Sequence, residues 1–148
     1  GDAGVGRVVA VAEWHPNVGG KQSDEMVAAF RQRFPEPRDD YQHLRMLVMV
    51  EMLVAAIERA GSDDALAVAK ALRGARYSNG WHTAWMRPHD HQLIQPLVVS
   101  VMERAGSATG GLRFDTEGSG YGFRTELRLS PEQTQLPTKC RMQQPGRA

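Results

Sequence analysis

A single β-branched segment, RVVAVAEW (Arg7 to Trp14), comes first, then three stretches with helical spacing, and only then more strand-like sequence. One helix-flanked strand cannot build a doubly wound sheet by itself, because a sheet needs several paired strands before it can cover helices on its faces. Either the later strands complete that sheet, or other strands come from a segment or a partner outside this chain. The length of 148 residues, 41% of them hydrophobic and 24% charged, suits one domain with a real core. The chain therefore reads as α/β with an incomplete look.

RVVAVAEW is bounded by glycine before and His-Pro-Asn after, which predicts a buried strand. WHPNVGGKQSD follows as a loop, with Ser23 or Asp24 placed to cap a helix. From Asp24 to Phe34, Met26, Val27, Phe30 and Phe34 fall on one helical face. Pro35 and Pro37 stop that helix, since proline disfavours helix in the residue before it. From Tyr41 to Ala60 apolar residues are so dense that burial around most of the helix is expected. Gly61 ends it, and Ser62 to Asp64 cap a third helix reaching about Leu72. ARYSNGWHTAWMR, LVVSVM and GYGFRTELRL then read as two or three strands of an antiparallel meander. The expected segments are thus 1–74 (strand plus helices), 75–129 (β segments) and 130–148, a proline-bearing irregular strap.

The formal net charge of +1 and the scattered arginines give no case for nucleic acid or an anionic membrane. No apolar run reaches the roughly 18 residues that span a bilayer. GDAGVGR lacks the basic start and hydrophobic run of a signal peptide. A chain that begins Gly-Asp-Ala, without Met, leaves its compartment undecided on that ground.

MRPHDHQLIQPL raises the question of a metal. His89 and His91 would share one face of a strand, with Asp90 on the other, and His82 would need a hairpin that HTAWMRPH does not advertise. With no HExxH and no CxxC pair, no metal site is expected. Asp90 is expected instead to accept backbone N–H groups in a turn opened by Pro88. There is no GxSxG elbow, and the lone Cys140 lies in a polar tail; it is either an inert thiol or half of a disulfide completed outside this chain. Asp39-Asp40 and Asp63-Asp64 read as helix starts, and Met46, Met49 and Met52 as core packing. No catalytic constellation and no cofactor site emerges.

The order of motifs resembles a known family. RVVAVAEWHPN is similar to the strand and turn of periplasmic solute-binding proteins of the branched-chain amino acid type. AAIERAGSDD and ALAVAKALRGARY resemble that family's helix closure and next helix, and MRPHDHQLIQPL the R-x-x-D-H-Q signature of one subgroup. GSGYGFRTELRLSPEQTQLPTKCRM resembles the ending of that same subgroup. The likeness covers essentially the whole chain, in order. It departs in two places: Leu47, Val48 and Met49 stand where the family often has a Tyr-Asp-Ala-type sequence, and His82 where a glycine is usual.

The resemblance implies the C-terminal portion of a type I periplasmic-binding-protein fold, bilobal and Rossmann-like, from a protein more than twice this length. It implies a non-enzymatic, extracytoplasmic component of an ABC transporter. Such a protein holds an amino acid or similar small carboxylate between its lobes and delivers it to a membrane permease; the periplasm is the expected location. By the same likeness Tyr41, Gln42 and His43 are the candidate ligand contacts. Arg87, Asp90, His91 and Gln92 are a structural motif, and Cys140 a disulfide candidate. A ligand sensor of the same fold is the alternative, with a small metal-dependent enzyme built on HDH behind it. Self-association of the truncated chain is left open.

Overall fold

The computed structural model of the chain describes residues 1–36, 43–106 and 112–140. A 3₁₀ turn (Asp2–Gly4) is followed by β1 (Val9–Ala12), α1 (Lys21–Arg33), α2 (His43–Ala60) and α3 (Ala65–Leu72). Then come β2 (Arg76–Ser78), β3 (Thr83–Met86), β4 (Leu93–Ile94), β5 (Leu97–Arg104), β6 (Tyr121–Leu129) and one helical turn, α4 (Pro131–Thr134). The chain divides into two compact units. One is Gly1–Arg45 with Leu97–Leu129; the other is Met46–Pro96 with Ser130–Ala148.

The first unit is built on an antiparallel sheet of order β1-β5-β6. Val9 pairs with Val101 and Ala12 with Val98, so β1 is an edge strand laid against the longer β5. β6 runs along the other side of β5 from Leu129 opposite Leu97 to Tyr121 opposite Arg104, with a register shift between Val99 and Ser100. Cross-strand partners share a face, so Ala10, Ser100 and Thr125 form one row across all three strands. The expectation of a buried β1 is corrected: Val9 and Val11 are each 62% exposed. A strand alternates its side chains between two faces, and only the Ala10 and Ala12 face is partly covered.

α1 also starts differently from the sequence expectation. Its N-cap is Gly20, with no side-chain cap bond, so neither Ser23 nor Asp24 caps it. Both side chains are engaged elsewhere: Ser23 Oγ accepts from the Trp14 indole, and Asp24 pairs with Arg113. The helix stops at Arg33, before the prolines, as expected. Val27 is buried, but Phe34 at the C-cap is exposed.

In the second unit the sheet is β2-β3-β4, a short antiparallel meander with Arg76 opposite Trp85 and Trp85 opposite Ile94. The strands of the second half thus number five among the described residues and belong to two sheets, where a single meander of two or three was expected. Asp64 caps α3 as expected, its carboxylate accepting the Ala67 N–H at 2.9 Å.

α2 overturns the expectation of burial around most of the helix. Leu44, Val48, Met52 and Ala56, four residues apart, are buried, whereas Met46, Met49, Val50, Leu53 and Val54 are about half exposed. Of the three methionines expected in the core, only Met52 is there. Apolar density sets what a helix can bury; its neighbours decide which stripe is covered. Among the described residues no helix is long and apolar enough to cross a membrane.

Candidate functional site

In the first unit the chain leaves β1 through Glu13, Trp14 and His15, and the last two line a concave site. Trp14 is 1% exposed and its Nε1–H donates to Ser23 Oγ at 2.9 Å, pinning the loop to the first turn of α1. His15 is also buried. Its Nε2 lies 2.9 Å from Ser100 Oγ and 3.0 Å from Thr125 Oγ1, while its Nδ1 accepts the Asn17 backbone N–H at 3.2 Å. An Nδ1 that accepts carries no proton, so the neutral ring is protonated on Nε2 and donates toward the two hydroxyls. Burial, and then the charge of Arg128, lower the imidazole pKa to about 4, so the ring is neutral at pH 7.

Asn17 ties the chain after β1 to Phe114. Its Nδ2 donates to the Phe114 carbonyl at 2.6 Å and its Oδ1 accepts the Phe114 N–H at 2.8 Å. Gly122 makes that approach feasible: a Cβ there would lie 2.9 Å from the Phe114 carbonyl oxygen. A cavity of about 270 Å³ is lined by Ala10, Val11, Ala12, Trp14, His15, Ser100, Thr116 and Phe123. Its walls are mainly apolar, and its polar groups come from His15, Ser100 and Thr116. Reading the sequence passed over this site, although a signal existed: Ser100 and Thr125 interrupt otherwise apolar or charged strand segments.

The second unit holds the histidine-rich stretch as a tight turn between β3 and β4. The Arg87 N–H donates to the Gln92 carbonyl at 2.8 Å and the His91 N–H to the Arg87 carbonyl at 2.9 Å, with His91 at φ 54°. Arg87 and Asp90 side chains, 5% and 4% exposed, form a two-pronged ion pair with Nε to Oδ1 at 2.8 Å and Nη2 to Oδ2 at 2.5 Å. Arg87 also donates to Gln92 Oε1 and, at 2.6 Å, to the Leu136 carbonyl. Asp90 Oδ1 accepts the Gln92 N–H at 3.2 Å, the kind of turn bond the sequence suggested. The hydrogen bonds from Arg87, above all, hold the Asp90 carboxyl well below the usual carboxylate range.

Of the remaining candidate residues, His43 and Cys140 are among those the structure describes. Tyr41 and Gln42 lie outside the described residues, as does the chain beyond Cys140. His43 opens α2 with its ring stacked on Phe30, centroids 3.3 Å apart. Cys140 is a free, exposed thiol, its backbone N–H bonded to Thr138 Oγ1 at 3.0 Å. Among the described residues no three His, Cys, Asp or Glu side chains are grouped to hold a metal ion.

Known proteins similar to this chain share its fold. The leucine-, isoleucine-, valine-, threonine- and alanine-binding protein of Brucella ovis, in its closed conformation, superimposes on 93% of it with a TM-score of 0.73 and 18% identity. A solute-binding protein of an ABC transporter from Rhodopseudomonas palustris BisB5, solved with 3,4-dihydroxybenzoic acid, matches 100% of it at 0.66 and 15% identity. An ABC-type branched-chain amino acid transporter protein from Rhodopseudomonas palustris CGA009 matches 88% of it at 0.64, with 15% identity. The chain spans about a third of the length of these structures: 35%, 34% and 32%. No curated protein matches the chain. The family described as periplasmic binding protein matches residues 1–108. With that match over most of its length, and a mixed α/β fold shared with type I periplasmic binding proteins, the chain belongs to the periplasmic binding protein family.

Proposed function

We propose that the protein to which this chain belongs is the solute-binding component of an ABC transporter. It works in the periplasm, captures an amino acid or similar small carboxylate between its two lobes, and delivers it to a membrane permease. The observation that carries this reading is the family match over residues 1–108, and the amino-acid-binding and transporter-linked relatives of the same fold support it. Capture and release by hinge closure need neither catalysis nor a cofactor.

Within that reading Tyr41, Gln42 and His43 contact the solute near the start of α2, the aromatic ring covering apolar parts and the polar groups bonding the rest. Arg87, Asp90, His91 and Gln92 brace the β3–β4 turn. Cys140 pairs with a cysteine outside this chain, a role its exposure leaves open to it.

Calorimetry on the native, full-length product, titrated with a panel of amino acids and small carboxylates, tests the proposal. Micromolar binding of one of them, lost in Tyr41→Ala, is the expected result; no binding across the panel overturns it. The isolated 148-residue chain should bind free amino acids far more weakly. Cys140 in the unreduced native protein should resist alkylation.

A further inference from the structure

We propose that the cavity on the β1-β5-β6 sheet is itself a binding site, for a small uncharged aromatic molecule bearing a hydrogen-bond acceptor, of the phenol class. This rests on the cavity alone, whichever solute the intact protein carries.

Size sets the first limit. An apolar cavity of about 150 Å³ is enough to hold benzene, so about 270 Å³ accommodates a ring with one or two small substituents. The space exists because Ala10 and Ala12 present only methyl groups along β1, where larger side chains would fill it. Trp14 and Phe123 supply aromatic walls against which a ring can pack edge or face.

Polarity sets the second. Ser100 is buried and sits in the row between Ala10 and Thr125. The tautomer of His15 makes Nε2–H a donor, so Ser100 Oγ, 2.9 Å away, is placed to accept from it and to keep its own proton for donation. A ligand oxygen in the cavity would receive that proton. Charge sets the third limit. No cationic side chain lines the cavity, and Arg128, whose charge His15 feels, donates to the Val18 carbonyl. A carboxylate entering here would lose its hydration without a counter-ion, whereas a phenol would not.

The test is titration of the 148-residue chain with p-cresol and with benzoate, followed by NMR shifts of the Trp14 indole N–H. Saturable p-cresol binding is expected, with benzoate at least about tenfold weaker. Ala12→Leu, which fills the space, should weaken p-cresol by about tenfold or more. Ser100→Ala, which removes the hydroxyl and adds no bulk, should weaken it by about three- to tenfold. Circular dichroism checks that each variant is folded. Should Ala12→Leu fail that check, Thr116→Leu narrows the same cavity from a loop and must give the same loss. Absence of saturable binding, benzoate binding as tightly as p-cresol, or unchanged affinity in a folded cavity-filling variant each overturns the proposal.

Discussion

In the first unit a neutral imidazole is buried against two hydroxyls and a backbone N–H. In the second a guanidinium and a carboxylate are buried against each other, with an amide and a backbone carbonyl completing the set. Both arrangements satisfy buried polar groups, but they respond to opposite insults. The neutral network holds only while His15 stays unprotonated. The ion pair is indifferent to pH until its carboxylate titrates, yet it tolerates the loss of neither partner, because what remains is an uncompensated charge out of water.

Removing one partner of the ion pair should have the largest effect. Asp90→Ala leaves the Arg87 guanidinium, at 5% exposure, without its two-pronged acceptor. It should lower the urea midpoint of the second unit more than any other substitution named here. A midpoint equal to the parent's would erase the distinction between the units.

Acid should strike the first unit selectively. The imidazole's folded pKa, about 4, lies below its ordinary 6.5, so the unfolded chain takes up the proton first. The stabilisation is therefore complete above pH 6.5 and is lost as pH falls toward 4, by about 3 kcal/mol in all. Asp90 is also depressed, but its contribution is lost only below the ordinary carboxylate range. Amide exchange measured unit by unit between pH 7 and 4.5 should show β5 and β6 opening first. His15→Gln should flatten that pH dependence, and a slope that survives the substitution would assign it to another group.

Smaller effects sharpen the contrast. Gly122→Ala forces the Phe114 loop off β6 and should cost about 1–3 kcal/mol in thermal or urea unfolding, confined to the first unit. Asp64→Ala removes the α3 cap and should cost about 1 kcal/mol in the second. Asp24→Ala, at a position that resembles a cap but serves an exposed pair with Arg113, should cost less than about 0.5 kcal/mol. Equal losses for Asp64 and Asp24 would mean that the two helix starts do not differ as their hydrogen bonds indicate.

What reading the residues captured was local. The stop of α1 before Pro35, the Asp64 cap, the end of α2 at Gly61 and the turn chemistry of Asp90 depend on neighbours within a few residues, and they stand in the structure. The caps assigned to Ser23 and Asp24 failed because distant partners, Trp14 and Arg113, claim those side chains. His89 and His91 lie in the turn expected at Asp90, and what the line of residues did not show is that the Arg87 side chain organises it. His15, in plain view after the first strand, carried no local sign of its role.

By itself, then, the sequence determined the three long helical stretches, the ends set by proline, glycine and the Asp64 cap, and the family, since period, capping and ordered motifs are properties of the chain read in line. Only the tertiary structure decided which faces are covered and which polar groups meet. It buried one stripe of α2 and left Met46, Met49 and Leu53 exposed. It also brought His15 to Ser100 and Thr125, 85 and 110 residues away. The chain passes between its two units three times, at residues 45, 96 and 129, and no local composition marks those passages. Burial and long-range hydrogen bonding depend on what packs against a segment, and a segment does not encode its neighbours.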